Sequence, residues 1–168
     1  MGRTWDAWGG VVLAGVLGLV LGLGAVWALS SSRTRKKRLV EAGMVLGTWP
    51  WLWMILTPKA AARAIDLVPL LPIVDELRGD PGVAVEQIGG NLLVFAAFGF
   101  CARLRWGLPV WHIVALAAAG SLLVEVLQWV LDLGRVSSVN DVILNATGAG
   151  LASLVGRGSV PAWIGRSK

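Results

Sequence analysis

The stretch that decides the fold is Asn91–Gly150, NLLVFAAFGFCARLRWGLPVWHIVALAAAGSLLVEVLQWVLDLGRVSSVNDVILNATGAG. It is apolar enough for hydrocarbon, yet it carries Asn91, Ser121, Glu125, Gln128, Arg135, Asp141 and Asn145. Polar side chains are expensive inside a bilayer, so an intramembrane ionisable group marks a working site with a partner. On a helix of 3.6 residues per turn, Ser121, Glu125, Gln128 and Asp132 step by four, three and four and share one face. Asp141, Asn145 and Gly148 share another.

Working outward, the whole chain has the same character. Apolar residues make up 56% and charged residues only 15%, where a soluble domain carries about a quarter charged. Mean hydropathy is +0.72. Apolar runs of about 18 residues or more read as transmembrane helices. The spacing predicts five: Trp8 to Leu29, Leu39 to Leu56, Val83 to Ala102, Val110 to Leu131, and Val139 to Gly156. The fold class expected is therefore all-α, a polytopic helical membrane protein. The lone Cys101 excludes an internal disulfide. With the lone His112 it leaves no Cys/His cluster at metal-ligand spacing, so neither a metal nor a cofactor is expected. Cys101 reads as a small core residue and His112 as interfacial.

Charge placement sets the orientation. The calculated pI near 10.4 would suit a nucleic-acid partner, but the basic residues lie at span ends. Arg33, Arg35, Lys36, Lys37 and Arg38 follow the first span, and by the positive-inside rule this segment is cytoplasmic. Arg103, Arg105, Arg157, Arg166 and Lys168 then also fall inside, ten of the fifteen basic residues. Glu41 alone of the acidic residues joins them, as an expected partner of the basic run. The basicity is a topology signal: N-terminus outside, C-terminus cytoplasmic, no nucleic acid, anionic lipid headgroups at the basic run. Ten Trp and no Tyr, nearly all at span boundaries, agree, because Trp favours the membrane interface. The first span has its charge after the apolar run, unlike a secretory signal, and reads as a retained anchor. Gly10, Ala14, Gly18 and Gly22 on it, and Gly148, Ala152 and Gly156 on the fifth span, make small-residue stripes suited to close helix packing.

The segment Thr57 to Gly82 is expected outside. Pro69 and Pro72 rule out one long helix there, and its apolar content fits an interfacial or re-entrant segment that could lid the spans. Under this topology Asn91, Glu125, Arg135 and Asp141 lie near outer helix ends and can face a common point. Gly89 and Gly90 would permit close backbone approach beside Asn91.

Three pieces of the chain resemble the VanZ-like membrane proteins. Asp66-Leu67-Val68-Pro69 is similar to the family's Asn-Leu-Ile-Pro segment. Gly90 to Phe100 is similar to its Asn-x-x-x-Phe-x-Pro-x-Gly motif, with Ala97 where proline is usual. The most specific is Ser121-x-x-x-Glu125-x-x-Gln128, then Arg135, then Asp141-x-x-x-Asn145-x-x-Gly148. The resemblance covers roughly Asp66 to Gly156, and the chain is expected to divide into an anchor and basic cytoplasmic loop (1–38), a VanZ-like transmembrane domain (39–156) and a basic cytoplasmic tail (157–168). It implies a bacterial plasma-membrane protein acting at the outer face, near cell-wall or lipid-linked precursors. The namesake lowers susceptibility to the glycopeptide teicoplanin, so antibiotic resistance is one implied readout.

Three functions fit these residues. In the first, an amphiphilic envelope ligand is bound or modified in the outer leaflet. Glu125 and Asp141 are then the ionisable pair, Arg135 holds an anionic headgroup, and Asn91, Gln128 and Asn145 orient it. In the second, the chain is an enzyme with Glu125 or Asp141 as general base, since paired carboxylates in a low dielectric split their pKa values. No nucleophile motif or phosphate loop accompanies them. In the third, Glu125, Arg135 and Asp141 are a structural network stapling three helix ends.

Overall fold

In the computed structural model, residues 32–59 and 61–158 are described. The expected first span, its small-residue stripe and most of the basic tail lie outside these residues. Helix α1 is Ser32–Ile55, covering the second expected span and running back through the basic segment. That segment is helical where a loop was expected. Lys and Arg are good helix formers, and neither Gly nor Pro interrupts 32–42. Next come strand β1 (Ala64–Asp66) and helix α2 (Leu71–Arg78). The third expected span is a broken helix: α3 (Pro81–Ala84), a π-helical turn (Val85–Gly89), α4 (Gly90–Val94) and α5 (Ala96–Trp106). Helix α6 is Val110–Val130, strand β2 is Val136–Ser138, and helix α7 is Val139–Gly158.

The break between α4 and α5 falls at Phe95, whose backbone (φ −107°, ψ 9°) leaves the helical region. It forms with Ala97 in place, so the helix is interrupted without the proline usual in the family motif.

Helix α7 is central and packs on α4, α5 and α6, while α1 packs on α5. Glycines set these distances. A Cβ on Gly148 would collide with the Leu92 carbonyl, and one on Gly99 with the Ala149 carbonyl. On α1, a Cβ at Gly47 would sit 2.5 Å from that of Ala97. Small residues thus let backbones touch, as helices in lipid require. Gly89 and Gly90 make no such approach: a Cβ on either would meet nothing within 4 Å. The buried cluster is Val94, Phe95, Ala102, Ile113, Ala117 and Ala149. The larger apolar residues Leu122, Leu123, Val126, Leu151, Leu154 and Val155 face outward. Two helices among the described residues, Val85–Trp106 and Val110–Val130, are long and apolar enough to cross a membrane.

The all-α expectation needs one correction. β1 and β2 pair in parallel, Ala64 with Val136, Ile65 with Ser137, and Asp66 with Ser138. Strands of three residues are too short to show a period of two. The pairing is set up by the turn after α6, where Lys59 N–H donates to the Leu133 carbonyl at 2.8 Å. Gly134 (φ +62°) makes this possible, since a Cβ there would strike the Lys59 carbonyl. The Thr57 to Gly82 segment forms no long helix. It leaves Leu67, Leu70, Leu71 and Leu77 exposed.

At the other end of the bundle Glu41 pairs with Arg105 at 2.5 Å.

Candidate functional site

The polar residues collect where α4, α6 and α7 meet the mini-sheet, in two levels. The deeper one is a single pair. The Asn145 amide donates to the Ser121 hydroxyl at 2.7 Å; Ser121 is fully buried and Asn145 is 2% exposed. One turn further along α6 is Glu125, 7% exposed. Its carboxylate accepts the Ser138 backbone N–H at 2.9 Å, and its backbone carbonyl accepts the Ser137 hydroxyl at 3.0 Å. Glu125 thereby joins α6 to the start of α7. On α7, Asp141 accepts the Asn91 amide at 2.8 Å, which ties α4 to α7. Ser138 accepts the Asn140 N–H at 3.1 Å, the side-chain capping that helix starts favour.

Gln128 and Arg135 make a different connection. A helix leaves its last carbonyls without intrahelical partners. At the end of α1, the Gln128 amide donates to the Ile55 carbonyl at 2.9 Å. Arg135 donates through Nε to the Thr57 carbonyl at 3.0 Å and through Nη2 to the Met54 carbonyl at 2.7 Å. The two side chains together cap α1. Arg135 also lies within electrostatic range of Glu125 and Asp141, which favour its charge; burial outweighs them and holds its pKa below the usual arginine value.

Asp132 leaves the face that helical spacing assigned it. Helix α6 stops at Val130, and Asp132 takes a left-handed conformation (φ 49°). It pairs instead with Arg63 at 3.7 Å on the surface. The Arg63 guanidinium lies 5.0 Å from the Trp129 ring centroid and donates to the Trp129 carbonyl.

Asn140 is the residue that spacing missed. Its side-chain oxygen accepts the Leu70 N–H at 2.7 Å. Its side-chain nitrogen donates to the Val68 carbonyl at 2.9 Å and to the Asp66 carboxylate at 3.3 Å. It therefore fastens the Asp66-Leu67-Val68-Pro69 segment to α7 and braces Leu70, whose φ of 66° is unusual for leucine. The signal available in the sequence was the polar run Ser137, Ser138, Asn140, Asp141 at a helix start. Its partners, some 70 residues away, were not legible.

Two buried amide oxygens of this cluster remain. The side-chain oxygens of Gln128 and Asn145 have no hydrogen-bond partner among the described residues. Buried polar atoms are nearly always paired, so these two need a water or a ligand to supply donors.

No curated protein and no solved structure matches this chain. A family model described as VanZ/LLP1 does, over residues 11–157. The match extends beyond the motif-bearing region to take in most of the first expected span. With the two long apolar helices it points to a membrane protein. A match over so much of the sequence settles its kinship: the chain belongs to the VanZ/LLP1 family.

Proposed function

We propose that this is a multi-pass bacterial plasma-membrane protein that binds an amphiphilic cell-envelope ligand in the outer leaflet. The site is the constellation of Asn91, Ser121, Glu125, Gln128, Arg135, Asp141 and Asn145. Five spans carry it, with the N-terminus outside and the C-terminus cytoplasmic. The support for that orientation is the concentration of basic residues at one set of span ends; the exposed Trp49, Trp53, Trp106, Trp111 and Trp129 near helix ends suit spans that end at a membrane interface. The exposed leucines of the Leu67–Leu77 segment suit an element lying in the outer interface.

The observation that carries the ligand reading is the excess of polar groups over what the fold uses. Glu125 is buried on the same helix face as Gln128, and the side-chain oxygens of Gln128 and Asn145 are buried without partners among the described residues. Such an excess is costly in a bilayer unless something polar enters. Family membership extends the reading to glycopeptide susceptibility, including that to teicoplanin, as the cellular readout. Lipid-linked envelope precursors are the ligand class that such a place in the membrane would meet. The structural reading has its own support in the capping of α1 by Arg135 and Gln128. We accordingly assign those two donors to positioning, and the ligand contacts to Glu125, Asp141 and the unpartnered oxygens. A crystal structure grown from a lipid phase tests this. Non-protein density is expected against Glu125 and Asp141; the Gln128 and Asn145 oxygens paired by protein groups alone would overturn it.

A further inference from the structure

We infer that residues 8–29 turn back at Ser30 and Ser31 and dock, antiparallel, on the face of α1 that points away from α5. That face is open. At about 100° per residue, Val45, Trp49 and Trp53 share one side of α1. They lie about 200° around the helix from Gly43 and Gly47, where an added Cβ would meet Cys101 and Ala97 of α5. Met44, Trp51, Leu52 and Ile55 pack against the buried cluster on the inner side. Val45, Trp49 and Trp53 are exposed, and the two tryptophan rings stand 6.3 Å apart as one ridge.

The reach of the chain selects the occupant. The expected first span ends at Leu29, and α1 begins at Ser32. Three Cα steps reach at most about 11 Å, and packed helices lie about 8–10 Å apart. The end of the segment is thus held within one helix spacing of the start of α1. A connection this short makes two helices antiparallel neighbours. Helices α5 and α4 take the inner side of α1, which leaves the outer face. A straight continuation of α1 back through Ser30 would instead carry Trp8 to Leu29 past the basic run and expose that apolar surface to water. The register fits as well. Counting equal rises back from the turn, Trp49 comes level with the gap between Gly10 and Ala14, and Val45 with the gap between Ala14 and Gly18. Helices in lipid associate by close van der Waals packing at small residues, and this register sets large side chains of α1 against small ones of the segment. The family match starts at residue 11, so the segment belongs to the same family unit as the bundle. Docked there, it braces α1 from outside. It thereby steadies the Met54, Ile55 and Thr57 carbonyls on which Arg135 and Gln128 are positioned. The docking holds whatever ligand the outer site takes.

The test is disulfide trapping in native membranes, with the full chain carrying Cys101→Ala. Ala14→Cys combined with Val45→Cys should cross-link within one chain. Ala14→Cys combined with Leu151→Cys, on the outward side of α7, should not. Gly18→Leu should lower the melting temperature in detergent by about 5 °C, the effect of overpacking a helix contact. Val16→Leu, on the opposite side of the segment, should leave it unchanged. Cross-linking to the α7 position in place of the α1 position would overturn the docking. So would cross-linking between two copies through Ala14→Cys, which would give the stripe to a second copy of the chain, and so would no cross-link in either pair. In the unmodified chain, an NOE between the Trp49 ring and the Ala14 methyl group reads the same contact. Its presence or absence decides the matter even if a variant fails to fold.

Discussion

Among the single residues, Arg135 and Glu125 do different work despite standing ten residues apart in one polar cluster. Arg135 satisfies two carbonyls at the end of α1, so its removal exposes a structural need. Arg135→Met should destabilise the protein by about 2 kcal/mol, the loss of hydrogen bonds to a charged donor. Arg135→Lys should recover part of that, because an ammonium can reach one carbonyl but not fork between two. Thermal melting in detergent with detection of folded monomer checks both. Equal stability of Arg135→Met and the parent would remove the capping role. Helical spacing could find the buried face of Ser121, Glu125 and Gln128, because α6 is regular across it. It misplaced Asp132, because the face runs one residue past the expected span end at Leu131, while the helix stops at Val130. It could not see that Arg135 turns toward α1, whose carbonyls lie 78 and 81 residues away in sequence.

The elements show the same division. The long helices α6 and α7 were legible from their apolar runs, and their observed bounds differ from expectation by one or two residues. The mini-sheet was not, because it is decided by contacts between distant segments. Asn140 is the clearest case: one side chain holds Leu70, Val68 and Asp66 in place. Asn140→Leu, which keeps the branched heavy-atom shape and removes the polar groups, should release the Ala64–Leu77 segment from α7 at a cost of about 1–3 kcal/mol. Hydrogen exchange should rise across that segment and stay unchanged in α6. Exchange rising equally through α6 would mean that Asn140 supports the whole bundle instead of this one element.

For the molecule as a whole, the proposed orientation brings the mini-sheet and the polar cluster to the outer face. Cysteine accessibility in intact cells checks this, with Ser31→Cys expected to be protected and Gly79→Cys labelled by a membrane-impermeant reagent. Labelling of Ser31→Cys from outside would invert the topology and put the site in the cytoplasm. The central claim is that Glu125 and Asp141 serve a ligand and not only the fold, and a paired readout of folded amount and activity tests it most directly. The amides of Glu125→Gln and Asp141→Asn remove the charge yet can still accept the Ser138 N–H and the Asn91 amide, so they spare the hydrogen bonds that the fold uses. Glu125→Gln combined with Asp141→Asn should therefore be measured for folded protein in the membrane and for activity in a glycopeptide-susceptibility assay in which the parent scores. We predict normal folded amount with activity lost; full activity at normal expression would contradict the account.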